Sequence, residues 1–455
     1  MNNSQTNPSF RLRLEVLLVS QRDDVVVRVQ QKALQNSFVF RHLNDVNDLR
    51  GRDIDVERAP ILVVSQEEAE HVGAFSLRVG QLLERFPLAT IVTAMHEAAL
   101  MESFAGTQSE RVIPLSPYDF FKTSKLEYIC LLKCRSQFFD IAPADLFSMT
   151  TLGFSVFVRM QLNQRYLGVA FRGSVLGDVK HQKMLKKRAL YIQAREALIY
   201  LEYINAFYDT QGASLRKRVR ALFLAVCQVW VELNEYLLFD YKNMPEATVH
   251  QLYSRLGQFA AQFESLVAAG DDLWETIKDT LENDFFAKWR APWVAFYAAY
   301  ISKKSGLGRP SVTFLAGLFC DVGLFDVQDF VVEKSFAFGE GALDESEQVE
   351  YRKHPLLSLN RCLLKNLPIS EEIKAVLVCI HERDDEQGFP SQTPSAMLPP
   401  EAAIIRFAEL IDRGARTAAE AGNFRILKEK IWEEQHSKPG NFSLEFLEKI
   451  SESLL

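Results

Sequence analysis

Six consecutive ionisable side chains begin the stretch HERDDEQGFP, which runs from His381 to Pro390. They follow directly on the apolar run 375–380, which the pattern predicts to be the end of a buried helix. An apolar helix that delivers a His-Glu pair into a loop of carboxylates is a common way to present metal ligands. The alternative is a helix that ends in a solvated charged loop, and this stretch alone favours the alternative.

Other segments of the second half carry residue types that bind metals. LAGLFCDVGLF contains the adjacent Cys320 and Asp321, and His354 stands directly before a proline. Glu409 lies on a further stretch with helical periodicity. Imidazole, thiolate and carboxylate groups that converge on a divalent cation would convert a bound water into a nucleophile.

In this order the segments resemble the HD-GYP family of cyclic di-GMP phosphodiesterases. RAPWVAFYAAYISKKSGL, residues 290–307, is similar to the helix that opens the family's metal site, and CDVG is similar to its His-Asp segment. The segment 343–355 is similar to the family's helix that ends in His-Pro, with Glu347 and His354 in place. HERDDEQGFP is similar to the family's HHE…DGxGYP stretch, in which this chain keeps His381, Glu382, Arg383 and Asp385.

At several positions the chain departs from the family's pattern. Arg290 stands where the family has a metal-binding His, Cys320 where it has the His of His-Asp, and Glu409 where it has an Asp. An arginine does not lose its proton, so Arg290 puts a cation where a ligand belongs. The other departures are Leu324 for a phosphate-facing lysine, Ile380 for a His, Ser358 and Glu386 for glycines, Phe389 for the GYP tyrosine and Ala403 for an arginine.

The resemblance implies a reduced set of metal ligands. If a divalent metal (iron, manganese or zinc) is retained, its ligands are Asp321, His354, His381, Glu409 and Cys320. This set could hold one metal but not two, and it assigns no catalytic residue. The plainer alternatives stay open, namely that no cofactor is bound, that His354 is a helix-end histidine and that His381 is a buried, hydrogen-bonded one.

The first part of the chain is predicted to be an α/β domain. Continuous apolar strands that alternate with helices predict a parallel sheet covered on both faces. The predicted strands are 14–20, 38–43, 59–65, 88–94 and 111–115, and the predicted helices are 23–36, 66–85 and 96–104.

This pattern resembles the response-regulator receiver domain, whose chemistry lies at the carboxyl ends of its strands. The family requires an acidic pair after the first strand, a phospho-accepting Asp at the end of the third, a Ser or Thr at the fourth and a Lys-Pro at the fifth. The chain offers Asp23 and Asp24, Ser65, Thr93 and Ser116 at these positions. Because the acceptor carboxylate and the lysine are both absent, the resemblance implies a pseudo-receiver, an interaction module.

The middle of the chain changes character. Residues 155–160 and 165–173 predict a β-hairpin, followed by a helix at 182–187, a strand at 189–193 and a helix into Tyr203. The chain is therefore predicted to be multidomain. Its parts are a receiver-like α/β domain at 10–136, a small α+β module at 137–203, a helical linker at 204–284 and a degenerate HD-GYP-like all-α domain at 285–455.

Composition limits the partners. The net charge of −7 gives no general basic field for DNA or RNA. The six cysteines lack paired CxxC spacing, which fits a reducing compartment. The start of the chain has no signal-peptide pattern, and the apolar run 221–239 is interrupted by Gln228, Glu232, Asn234 and Glu235. We expect a cytoplasmic protein that does not bind membranes.

Three hypotheses for function follow. In the first, the chain is a bacterial, two-component-like pseudoenzyme that acts as an interaction scaffold or a cyclic di-GMP-related binding module, with a signalling protein as partner and a homodimer left open. In the second, it is a residual metal-dependent phosphodiesterase that hydrolyses cyclic di-GMP with an altered metal site. In the third, Cys320 serves a metal or redox sensor, against the alternative that it packs as a small buried apolar residue.

Overall fold

The computed structural model describes residues 15–35, 39–44, 61–67, 70–86, 90–94, 111–115, 125, 138–160, 166–187, 189–207, 215–239, 244–269, 290–394, 397–417, 424–438 and 440–454. The chain divides into two compact units, one mainly of residues 1–137 and the other mainly of residues 138–455. The finer division into four domains stays a prediction. The predicted helix at 96–104 and the pseudo-receiver position Ser116 lie outside the described residues.

The first unit contains a parallel five-stranded sheet, as its alternating pattern predicts. The strand order is β2-β1-β3-β4-β5, the order of one doubly wound class of α/β folds. The strands are β1 (Glu15–Val19), β2 (Val39–Leu43), β3 (Ile61–Ser65), β4 (Thr90–Ala94) and β5 (Val112–Leu115), and the helices are α1 (Asp23–Gln35) and α2 (Val72–Arg85).

Two features of this unit follow from its sequence. The central β3 is apolar at consecutive positions, and Leu62, Val63 and Val64 are all fully buried, as both faces of a covered sheet require. Helix α2 begins later than the predicted residue 66. Before it, the Gln66 side chain donates to the Glu70 carbonyl and the Glu67 amide donates to the Glu70 carboxylate.

The second unit begins with small antiparallel sheets. One sheet has the order β6-β11-β8-β9, and the other pairs β7 with β10. The antiparallel pairing of β8 with β9 confirms the predicted hairpin. The elements are β6 (Phe138–Ile141), β7 (Thr150–Thr151), β8 (Val156–Arg159), β9 (Tyr166–Ala170), β10 (Val175–Leu176), α3 (Asp178–Leu185), β11 (Leu190–Gln193) and α4 (Ala197–Ala206).

The described residues of the second unit after α4 are mainly helical, as the period of their sequence predicts. The helices are α5 (Leu215–Leu238), α6 (Glu246–Ala269), α7 (Arg290–Ser305), α8 (Pro310–Phe319), α9 (Asp329–Phe338), α10 (Glu345–Tyr351), α11 (His354–Leu364), α12 (Glu371–Cys379), α13 (Pro400–Thr417), α14 (Phe424–His436) and α15 (Leu444–Leu454). Helix α7 packs against α8 and α13, which brings three separated parts of the sequence together.

Helix α5 is the one helix among the described residues that is long and apolar enough to cross a membrane, and 78% of its most apolar window is buried in the protein. Its polar groups are used in packing. The Trp230 indole donates to the carbonyl of Leu318 at 2.9 Å. The Arg361 guanidinium donates to the carbonyl of Leu237 at 3.0 Å. These contacts tie α5 to α8 and α11.

Candidate functional site

Three helical segments supply charged side chains to one buried place. Arg290 is the first residue of α7, Asp321 follows the end of α8, and Glu409 lies on α13. The backbones of α7 and α8 approach closely at Gly317, where an added Cβ would lie 3.0 Å from the Cα of Ala295. A larger residue at this position would push the two helices apart and separate Arg290 from Asp321.

The Arg290 guanidinium lies among carboxylates. Its Nε is 3.0 Å from Asp321 Oδ2, and its Nη2 is 2.8 Å from Glu409 Oε1. Asp412 lies one turn beyond Glu409 on the same helix face, and its Oδ2 is 3.9 Å from Arg290 Nε. Arg290, Asp321, Glu409 and Asp412 are called the arginine centre below.

The arginine centre is built on charge more than on directed hydrogen bonds. Arg290 Nε and Nη2 and Asp321 Oδ2 are buried, and the close contacts of these atoms lack hydrogen-bond angles. The guanidinium carbon of Arg290 also lies 5.2 Å from the centre of the Phe336 ring. The carboxylates therefore surround the cation without following the fork of its N–H groups.

Burial and charge act against each other in the arginine centre. Burial alone would lower the pKa of Arg290, but the charges of Asp321, Glu409 and Asp412 outweigh this and hold its pKa above the usual value. Burial raises the pKa of Glu409 to about 7, although the Arg290 charge acts in the opposite direction. Arg290 thus places a positive charge among these carboxylates inside the protein.

Cys320 lies beside this centre. Its Sγ and the carboxylates of Asp321 and Glu409 lie within 4.8 Å of one another, close enough to share a metal ion. Burial, and then the neighbouring charges of Asp321 and Glu409, raise the pKa of Cys320 well above its usual value. The Cys320 thiol is therefore protonated at neutral pH, and it donates to the carbonyl of Gly317.

The turn after α8 is fixed by contact with α11. An added Cβ at Gly323 would lie 2.2 Å from the carbonyl oxygen of His354, so the turn can approach only with glycine there. The hydroxyl of Ser358 accepts from the Gly323 amide at 2.8 Å and donates to the Cys320 carbonyl at 2.6 Å. Ser358 stands where the family has a glycine, and its hydroxyl bridges the two segments.

The two predicted metal-binding histidines contact each other. His354 Nε2 is 2.9 Å from His381 Nε2, and His354 Nδ1 is 2.7 Å from the Tyr351 carbonyl. Because a carbonyl oxygen can only accept, His354 carries its proton on Nδ1, and its neutral ring accepts at Nε2. His381 must then donate from Nε2, so the contact occupies Nε2 of both rings.

The surroundings of the pair keep both rings neutral. Burial lowers the pKa of His354, and burial lowers the pKa of His381 well below its usual value, because a charged His381 ring would also meet nearby cationic groups such as Arg406. The Phe389 ring stacks on His381 with centroids 4.8 Å apart and planes 9° apart. The phenylalanine of GFP thus covers the imidazole.

The loop after His381 is held by its own polar groups. The Glu382 carboxylate accepts from the amides of Ser391 and Thr393 at 2.7 and 3.1 Å. Gly388 passes so close to the chain that an added Cβ would lie 2.4 Å from Glu382 Cα. Glu386 adopts a φ of 58°, the left-handed region that glycine favours, although it replaces the family's glycine.

The other departures from the family's pattern are also explained by packing. Leu324 joins an apolar cluster with Val327 and Val331, which excludes a charged group at this position. Ile380 is buried, and Ala403 lines a cavity described below. Glu347, which matches the family, completes a capping box with Asp344 at the start of α10.

These residues do not fit a bound divalent metal. The Arg290 guanidinium already lies at ion-pair distance from Asp321 and Glu409, the Cys320 thiol is protonated, and the Nε2 atoms of both histidines are used by each other. A metal would have to displace a buried cation and separate the histidine pair. Among the described residues, the group close enough to share a metal contains neither histidine.

In the first unit, hydroxyl groups lie at the carboxyl ends of the strands, where the resemblance to the receiver domain places its chemistry. Ser65, at the acceptor position, is fully buried, and its Oγ donates to the Ser20 Oγ at 2.5 Å. Asp23 and Asp24 lie in the first turn of α1, where Arg22 pairs with Asp24 at 2.9 Å. The Thr93 hydroxyl is buried and makes no hydrogen bond with any residue that the structure describes. These positions provide no exposed carboxylate at the end of β3.

Sequence reasoning missed two residues. Asp412 completes the arginine centre, and its spacing of three from Glu409 on a predicted helix was the available signal. Arg406, on the same helix, was also missed; it lines the cavity described below. No pattern in the sequence pointed to it.

Comparisons with known proteins give little to build on. No family model matches the chain, and no curated protein matches it. One similar solved structure is Bd1817, a HDG"Y"P protein from Bdellovibrio bacteriovorus, with 15% sequence identity and a TM-score of 0.44. The similarity covers 69% of this chain and 98% of that one. Similarity of this extent establishes neither the family nor the function.

Proposed function

We propose that the chain is a bacterial, cytoplasmic signalling protein of HD-GYP type whose hydrolytic site has become a structural ion-pair centre. The observation that carries this proposal is the position of Arg290, at 3.0 Å from Asp321 and 2.8 Å from Glu409. The HD-GYP family, which this segment resembles, has a metal-binding His at this position. A guanidinium there supplies positive charge to the carboxylates but neither a Lewis acid nor an activated water.

Two further features support the loss of hydrolysis. The histidine pair has no free Nε2, and Leu324 is packed among apolar side chains where the family has a phosphate-facing lysine. In the first unit, Ser65 stands buried at the position of the phospho-acceptor. Both units thus keep their secondary structure while the side chains that the two families need for chemistry are replaced.

The protein then acts by binding, as an interaction scaffold or a cyclic di-GMP-related module. For a protein partner, the proposal takes as candidate contacts the two most exposed large apolar side chains of the described residues, at the ends of α9 and α11. Phe338 is 77% exposed and Leu364 is 81% exposed. A second copy of the chain and another signalling protein both remain within the proposal.

The test is incubation of the full-length chain with cyclic di-GMP and separate additions of Mn²⁺, Fe²⁺ and Zn²⁺, with the products separated by chromatography. The proposal predicts no linear dinucleotide and no GMP above the level in a protein-free control. Turnover that is lost in His381→Ala would contradict the proposal and support a residual phosphodiesterase. His250→Ala is the matched control, because His250 is an exposed histidine on α6.

A further inference from the structure

A cavity of about 210 Å³ lies in the helical part of the second unit, apart from the arginine centre. It is formed by the end of α12, the segment that leads into α13, and the start of α15. None of Arg290, Asp321, Glu409 and Asp412 is among its lining residues. Its volume corresponds to roughly seven water molecules, which suits a ligand of the size of benzoate.

Arg406 provides the positive charge of this cavity. Its Nη1 donates to the carbonyls of Glu382 and Asn441 at 2.7 and 3.2 Å, and its Nη2 donates to the Asn441 side-chain oxygen at 2.8 Å. All three acceptors are neutral. The Phe442 ring lies 5.0 Å from the guanidinium carbon. Burial, and then the charge of Arg383, lower the pKa of Arg406 to about 10, so it stays charged at neutral pH.

Two donors of Arg406 remain. Among the described residues, none accepts from Nε or from the second hydrogen of Nη2. These two N–H groups form one side of the guanidinium, the side on which a carboxylate makes two parallel hydrogen bonds. Arg383 illustrates this geometry nearby, where its Nε and Nη2 both contact the Asp385 carboxylate.

Besides Arg406, the lining holds the carboxylates of Glu382, Asp384 and Glu445 and the ammonium group of Lys449. Glu382 is held by its hydrogen bonds to the 391–393 loop, and Glu445 pairs with Lys449 at 3.2 Å. Asp384 is the remaining carboxylate of the lining. The walls are mixed, and their apolar part includes Leu398, Pro399, Phe442 and Phe446.

We propose that this cavity binds a small organic carboxylate, which places its carboxylate on the Nε–Nη2 side of Arg406 and its apolar body against Leu398, Phe442 and Phe446. An anion there meets the charge of a half-buried guanidinium whose present hydrogen-bond acceptors are all neutral. This site is independent of the arginine centre and does not rest on the function proposed above.

The test is calorimetric titration of the full-length chain with benzoate and with its neutral counterpart benzamide. Because a charge-assisted pair is about twice as strong as a neutral hydrogen bond, benzoate should bind at least about tenfold more tightly than benzamide. Equal affinity for the two compounds would overturn the proposal, and so would the absence of saturable benzoate binding.

Variants locate the binding. Arg406→Met should abolish the preference for benzoate, but it also removes hydrogen bonds that hold the fold. Ala403→Leu therefore serves as a second variant, since it fills part of the cavity and leaves Arg406 in place. Retention of benzoate binding in Ala403→Leu would overturn the proposal. Arg309→Met is the control, because Arg309 is an exposed arginine that does not line the cavity.

Discussion

Replacement of Arg290 by Met removes a cation from beside three buried or nearly buried carboxylates. The side chains of Asp321, Glu409 and Asp412 retain 12%, 7% and 2% of their exposure. Breaking a buried ion pair by removal of one partner costs about 3–5 kcal/mol. We expect a loss of this size in the free energy of unfolding at pH 8, where the burial cost of the ionised carboxylates is largest.

The loss should shrink as the pH falls. Without the Arg290 charge, the pKa of Glu409 rises further above the value of about 7 that burial already gives it. A proton bound by Glu409 in the variant removes one buried negative charge, and each unit of pKa shift is worth about 1.4 kcal/mol. At pH 6 the difference between Arg290→Met and the wild type should therefore be smaller than at pH 8.

Urea unfolding, followed by tryptophan fluorescence at both pH values, measures these differences. The matched control is Arg309→Met, which removes an exposed arginine that pairs with Glu372 and should cost less than about 1 kcal/mol. Arg290→Lys keeps the charge and should lose less than Arg290→Met. An Arg290→Met chain as stable as the wild type at pH 8 would refute the neutralising role of the guanidinium.

Three further predictions concern the surroundings of the centre. The pKa values of His354 and His381 are lowered in the folded protein, so their contribution to stability is present above pH 6.5 and lost as the pH falls below it. In urea unfolding at pH 5–6.5 we expect the free energy of unfolding to fall by up to about 1.4 kcal/mol per pH unit for each histidine. The double variant with Gln at both positions should show a flatter profile of this free energy against pH. An unchanged profile would contradict neutral, buried rings. Gly388→Ala should lower the free energy of unfolding by about 1–3 kcal/mol, because the added Cβ would collide with the backbone. Glu386→Gly should change stability little or raise it, because Glu386 has the positive φ that glycine favours. Thermal unfolding that ranks the two variants the other way would be inconsistent with the loop geometry. Ser358→Ala should cost about 1–3 kcal/mol, because it removes the hydroxyl that bridges two buried backbone groups, and Ser358→Thr should recover more of that loss in the same assay than Ser358→Val does.

The sequence predicted the elements of the fold better than their limits. The consecutive apolar residues of β3 and the 3.6-residue period of α5 reflect burial, which acts directly on each residue. The start of α2 was harder to predict because side-chain contacts of Gln66 and Glu67 compete with the first helical turn. Such local hydrogen bonds do not appear in a hydrophobic pattern.

The sequence did not predict how the candidate site residues are arranged. Asp321 and Glu409 both lie at ion-pair distance from Arg290, not around a metal position. His354 and His381 are also close together, but the Nε2 atoms of their rings contact each other. Which atoms face each other depends on the packing of α7, α8, α11 and α13, and residues far apart in sequence fix that packing through contacts such as Gly323 on α11. One chain read alone carries no direct signal for those distances.

The measurement that tests the central claim most directly is elemental analysis of the purified full-length chain after dialysis against equal concentrations of Zn²⁺, Mn²⁺ and Fe²⁺ without oxygen. Three variants are analysed in parallel, namely Arg290→His, Asp321→Asn and the double variant that combines them. If the Arg290 guanidinium supplies the positive charge that a metal ion would otherwise supply, the wild type holds no metal above the level in the dialysis buffer. Arg290→His should then retain a metal that is lost with Asp321→Asn. Near-stoichiometric metal in the wild-type chain, removed by Asp321→Asn alone, would contradict the account.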